Sequence, residues 1–145
     1  MTHGIDTDFM VAAEIRDHPF HRAAGALLES LLAAGHDLAL APQTVAEFIH
    51  VVTDPKRMPQ PLGMGDAVAR AEQWWRAAEV VRVFPADPAV EDFLGWLRRH
   101  QLGRKRLLDT LLAATFRGAG VKRIITNNER DFRLLGEFEI VPYRS

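Results

Sequence analysis

Short apolar runs alternate along this chain with longer stretches of helical periodicity, and that alternation admits few folds. Gly4 to Asp6, Asp37 to Ala41, Val80 to Phe84, Arg123 to Thr126 and Glu139 to Val141 read as strands. Between them the spacing predicts helices over Phe9 to Ile15, His21 to Ala34 and Pro42 to about Thr53. Further helices are expected from Asp66 onward, from Asp87 to near Gly103, over Leu107 to Arg117, and briefly after Asn128. Gly35 closes the second helix, and Pro42 opens the third where its missing N–H is harmless. Asp87 reads as an N-cap ahead of Pro88, and Gly118 and Gly120 stop the penultimate helix. Strands separated by helices call for a mainly parallel sheet covered on both faces, a three-layer α/β/α sandwich. The segment Asp54 to Gly65 holds three prolines and two glycines and has the composition of a flexible loop.

At 145 residues the chain fits one domain, residues 1–145, with enough length to bury a core. No apolar run approaches the ~20 residues that span a bilayer, and Asp6 and Asp8 interrupt any leader-like start. A cytoplasmic protein without membrane attachment is the expectation. The absence of cysteine excludes disulfides, thiolate zinc sites and thiol catalysis. A net charge of −1 hides an uneven distribution, because Arg98, Arg99, His100, Arg104, Lys105 and Arg106 form one dense basic stretch. Such a run is either a solvated helix end or a strip that follows a phosphate backbone. Its closeness to Asp109 favours the strip.

Four acidic residues carry the remaining information. Asp6 ends the first strand, where ligands gather in parallel sheets, provided that Asp8 takes the helix-capping role. Glu47 borders the apolar stripe of Val45, Phe48, Ile49 and Val52. Asp109 sits among Leu107, Leu108, Leu111, Leu112 and Phe116, in a helix expected to be central and buried. Asp131 follows the fourth strand by five residues. Each has an ordinary alternative: an N-cap, a wet helix face, a favourable place at a helix N-terminus, a solvated capping turn. With no glycine-rich phosphate loop, carboxylates are the chain's available catalytic apparatus. Gathered together they bind hard divalent cations, which perform phosphoryl-transfer chemistry.

The segments Ile5-Asp-Thr-Asp8, Ala46-Glu-Phe48, Leu108-Asp-Thr-Leu-Leu-Ala-Ala114 and Ile125-Thr-Asn-Asn-Glu-Arg-Asp-Phe132 together resemble the PIN domain, and within it the VapC-type ribonuclease toxins. The order and spacing of all four motifs match over the whole chain. The resemblance implies an α/β/α sandwich and Mg²⁺ or Mn²⁺ held by Asp6, Asp109, Asp131 and Glu47. It also implies endoribonuclease activity leaving a 5′-phosphate and a 3′-hydroxyl, a homodimer, and inhibition by a small VapB-type antitoxin. Thr126 and Asn128 would orient water or a carboxylate, and Arg104, Lys105 and Arg106 would track the RNA backbone. Asn128 is a neutral oxygen donor where many members carry an acid, which weakens a second metal position.

Two other readings compete. The Asp6-Thr-Asp8 start also resembles haloacid-dehalogenase-type phosphatases, although no downstream Gly-Asp-x-x-x-Asp run accompanies it. A catalytically degenerate PIN-like domain that only binds RNA or protein is the other. Adjacent Trp74 and Trp75 differ by roughly 100° around their helix, so one is expected to be exposed or to meet another chain. With Leu27, Leu28 and Leu31 it forms the candidate dimer or antitoxin surface.

Overall fold

In a computed structural model that describes residues 1–144, the chain forms a five-stranded parallel sheet between two layers of helices. The strands are β1 (Thr2–Ile5), β2 (Asp37–Leu40), β3 (Val80–Arg82), β4 (Arg123–Ile125) and β5 (Glu139–Val141), in the spatial order β3-β2-β1-β4-β5. The helices are α1 (Thr7–Glu14), α2 (His21–Ala33), α3 (Pro42–Val52), α4 (Met64–Arg76), α5 (Asp87–Arg99), α6 (Leu107–Gly118) and α7 (Glu129–Arg133). A 3-10 turn, Arg104–Arg106, leads into α6. The three-layer architecture expected from the sequence is borne out. Among the described residues no helix is long and apolar enough to cross a membrane.

Side chains alternate across the pleat and divide the core in two. Ile5, Leu38, Leu40 and Ile125 face the layer of α1 to α4, where Phe9, Met10, Phe48 and Val52 are buried. Ala39 and Ile124 face the other layer, which buries Trp96 of α5, Leu112 and Phe116 of α6, and Phe132 of α7. Gly4 belongs to that second face for a steric reason. A Cβ built on it would lie 2.7 Å from the Phe116 ring, so the bare Cα of β1 lets α6 lie close against the sheet.

Several local expectations need correction. Asp6, not Asp8, caps α1: its backbone is extended and its carboxylate accepts the Thr7 N–H at 2.8 Å. Ala86 occupies the N-cap of α5, and Asp87 is its first helical residue, where a negative charge still suits the helix dipole. The helix α6 is buried on all sides from Leu112 to Phe116, as expected, and only its start departs, since Leu107 and Leu108 are exposed. The proline-rich loop makes three anchoring contacts. The Asp54 carboxylate accepts the Lys56 N–H at 2.9 Å, Met58 packs against the core, and the Leu62 N–H returns to the Val52 carbonyl at 2.9 Å.

Trp74 and Trp75 are both half-buried, so neither is the freely exposed member of the pair. The Trp74 indole N–H donates to Glu14 at 3.0 Å, and the Trp75 ring meets Phe84 edge-on beneath the Arg82 guanidinium. Each borders a different apolar groove: Trp74 with Leu28 and Leu32, Trp75 with Val45, Ile49 and Val68.

The contact between Gly4 and Phe116 yields a prediction. Gly4→Ala is expected to lower unfolding free energy by about 1–3 kcal/mol through overpacking. Adding Phe116→Leu should recover part of that loss, measured by urea denaturation.

Candidate active site

The central strand β1 pairs with β2 on one side and β4 on the other, so the chain reverses its direction of winding at the carboxyl ends of β1 and β4. Ligands of open parallel sheets bind at such a switch point. Here the two strand ends are joined directly. The Asp6 N–H donates to the Ile125 carbonyl at 3.3 Å, and the Thr126 hydroxyl donates to Asp6 Oδ2 at 2.7 Å. Thr126 in turn accepts the Asn128 N–H at 2.9 Å. Between the Thr7 N–H on one oxygen and the Thr126 hydroxyl on the other, the Asp6 carboxylate has a single fixed orientation.

In front of Asp6 lies a cavity of about 390 Å³ whose wall includes Asp8, Glu47, Asp109, Asn128, His18 and Arg57. Glu47 comes from the middle of α3 and Asp109 from the first turn of α6, so helices from both layers contribute. The Asn128 side-chain amide donates to Asp131 at 2.9 Å and to Asp109 at 3.3 Å. Asp131 also forms an ion pair with Arg106 at 3.0 Å and does not line the cavity itself.

The structure therefore gathers Asp6, Glu47 and Asp109 around one space and holds Asp131 behind Asn128. Thr126 is fully buried, so its part is to hold Asp6 and not to touch a substrate. Arg106 is engaged with Asp131, while Arg104 and Lys105 stay exposed on the turn before α6. Asp8, the helix cap expected from the sequence, belongs to the site instead. Its position in the first turn of α1 turns it to the cavity, and among the described residues its Oδ1 has no hydrogen-bond partner. His18 and Arg57 also belong to it, and neither lies in a motif.

Burial dominates the electrostatics. It raises the Asp6 carboxyl well above the usual range, reinforced by the charges of Asp8 and Asp109 and opposed by the hydrogen bonds from Thr126 and Thr7. Burial also raises Asp8, and it raises Glu47 against the opposing influence of Thr7 and Arg57. For Asp109 burial, then the charges of Glu47, Asp131 and Asp8, push the carboxyl up to about 6, with Arg106 acting the other way. Excess negative charge, a buried carboxylate oxygen without a donor and hard oxygen ligands fit a divalent cation. The ligands are not preassembled, however: among the described residues no three His, Asp or Glu side chains already stand together as a metal-binding set.

Comparison with known proteins agrees with this architecture. No protein-family model matches the chain. Ribonuclease VapC24 of Mycobacterium tuberculosis is 29% identical over 132 residues, covering 91% of this chain and 90% of the relative. Among solved structures, the sarcin-ricin loop cleaving toxin VapC20 of M. tuberculosis superposes with a TM-score of 0.70 at 18% identity, covering 92% of this chain and 95% of the other. VapBC2 of Rickettsia felis, bound to a DNA fragment from its promoter, also gives 0.70, at 16% identity and with 99% and 100% coverage. At those identities the solved structures speak for the fold. The fold is that of the PIN domains. The resemblance to VapC-type ribonuclease toxins, read first from four short motifs, holds over 91% of the chain.

The raised Asp109 carboxyl has a consequence for stability. In the unfolded chain it titrates near 3.8, and in the folded chain it keeps its proton up to about 6. Its contribution is complete below the lower value and is lost as pH rises through the upper one. Without added metal, the thermal midpoint should fall between about pH 4 and pH 7, and Asp109→Asn should flatten that fall. Parallel melting curves of the two proteins across this range give the comparison.

Proposed function

We propose that this protein is a metal-dependent endoribonuclease of the VapC type, acting at the cavity in front of Asp6. The observation that carries this reading is the convergence of Asp6, Asp8, Glu47 and Asp109 on one space at the switch point of the sheet. Asp6, Glu47 and Asp109 would hold Mg²⁺ or Mn²⁺, with Asp131 joining once Asn128 or Arg106 releases it. Such an ion supplies an activated water at neutral pH and neutralises charge on the phosphate.

The chain's own residues do the positioning. Thr126 keeps Asp6 in one orientation. Asn128 spaces Asp109 from Asp131, and its amide can turn to offer oxygen instead of nitrogen. Arg104 and Lys105, exposed just before α6, place positive charge where an RNA backbone approaches. Fixed carboxylates and a positive rim suit hydrolysis of a phosphodiester. Because the solved neighbours are VapC-type proteins, the phosphatase reading of Asp6-Thr-Asp8 loses its footing.

One observation favours a non-catalytic binder. The Asn128 bridge and the Arg106 ion pair already satisfy Asp131, and no three acids stand together as a ready metal site among the described residues. Metal titration separates the two readings, because the binder would retain RNA without binding Mn²⁺.

For partners, several neighbouring folds were solved as toxin–antitoxin complexes, among them VapBC-1 from nontypeable Haemophilus influenzae. A small antitoxin of that kind, and a second copy of this chain, are the proposed protein partners. The apolar grooves beside Trp74 and Trp75 are the candidate surfaces. Trp74→Ala and Trp75→Ala should each weaken one assembly in light scattering, and unchanged assembly in both would exclude these grooves.

The decisive experiment is cleavage of RNA with Mg²⁺ or Mn²⁺ by wild type and by Asp109→Asn purified in parallel. Wild type should cut, and chelator should stop it. The substitution should cost more than the roughly 10–100-fold loss typical of an outer partner of a metal ligand. Equal cleavage by both proteins would place the activity elsewhere.

A further inference from the structure

The acidic cavity poses an electrostatic difficulty for a polyanionic substrate. Four carboxylates line it, and a bound ion answers only for the phosphate it touches. Besides Thr7 and Asn128, whose amide is already given to Asp109 and Asp131, two lining residues carry donors for an anion: His18, from the turn between α1 and α2, and Arg57, from the loop after α3. Neither belongs to the motifs that carry the family resemblance.

Both are set by their local structure. The chain turns sharply at His18, whose own N–H returns to the Ile15 carbonyl at 3.1 Å, and Pro19 follows. The His18 Nδ1 accepts the Phe20 N–H at 3.0 Å. A ring nitrogen that accepts a backbone N–H carries no proton, so the remaining proton lies on Nε2 and the ring is a neutral donor. Burial and the neighbouring His21 lower the His18 pKa, which agrees with that form. Arg57 is held by the Asp54 turn, with its N–H on the Asp54 carbonyl at 3.1 Å and its guanidinium 3.6 Å from the Asp54 carboxylate. Its side chain is 56% exposed, and its charge reaches Glu47 inside the cavity.

These residues lie on the rim built by α1 to α4, whereas Arg104 and Lys105 lie by α6, on the other side of the sheet. We propose that His18 and Arg57 form a phosphate-binding jaw, which grips the RNA phosphate next to the scissile one on the rim opposite the basic strip. The inference rests on the nuclease reading of the same cavity and adds how the strand is held across it. Arg57 supplies the charge and His18 a directed hydrogen bond.

Charge and hydrogen bond leave different signatures in metal-free binding of a fluorescein-labelled single-stranded RNA, followed by anisotropy in chelator. Arg57→Ala should weaken binding and lower the slope of log K against log salt by about 0.7, the share of one phosphate contact on a single strand. Arg76→Ala, which removes an exposed charge at the end of α4, should leave the slope unchanged. His18→Leu should weaken binding by about tenfold with the slope intact, and His18→Gln, which restores a donor, should recover most of it. In cleavage assays the same variants should raise KM far more than they lower kcat.

A wild-type slope that survives Arg57→Ala, equal binding by His18→Leu and wild type, or no RNA binding by wild type would each overturn the jaw. Failure of wild type to cut RNA with either metal would sink the nuclease reading alone. The metal-free slopes would still decide the jaw.

Discussion

The hydrogen bond from Thr126 to Asp6 joins the ends of two parallel strands, and the arrangement of the acidic cavity depends on it. It exists because β1 and β4 are neighbours in space although 120 residues separate the two side chains in sequence. Once that pairing forms, the first turn of α1 and the segment leading to α7 meet at one point. Asp6 then has both oxygens engaged, Thr126 passes the chain of hydrogen bonds to Asn128, and Asn128 reaches Asp109 and Asp131. Acids from three distant segments are thereby linked through neutral donors instead of repelling one another freely. Burial raises the carboxyls of Asp6 and Asp109, and the repulsion that persists among the acids adds to it.

The fold was legible because its signal is local and repeated. All five strands and all seven helices of the described residues coincide with segments marked by apolar spacing and glycine or proline punctuation, with boundaries shifted by a few residues. Which strands neighbour one another is a different kind of information. Alternation of strands and helices implies parallel pairing, but only tertiary packing places β1 between β2 and β4.

The site was legible in part, for a related reason. Asp6, Glu47 and Asp109 stand in segments with recognisable patterns, and the structure puts them around one cavity. Asp8 and Asp6 exchanged roles because both are good N-caps, and a sequence does not reveal which backbone position is extended. Asp131 shows the limit from the other side: its motif is evident, but its ion pair with Arg106 arises from the turn before α6, 25 residues away. His18 and Arg57 lie in connections, where no periodicity announces a side chain's direction.

Gly4 illustrates how far a packing detail can reach. Its bare Cα is the seat on which the Phe116 ring rests, and Asp109 lies seven residues earlier, about two turns along the same helix. Any side chain at position 4 would act as a shim beneath α6, lifting one end of a rigid rod whose other end carries an acid over the cavity. The width of the cavity is thus adjustable from the opposite side of the sheet by a residue that never faces it. Small changes beneath this helix would shift Asp109 relative to Asp6 and Glu47 with every acidic residue left in place.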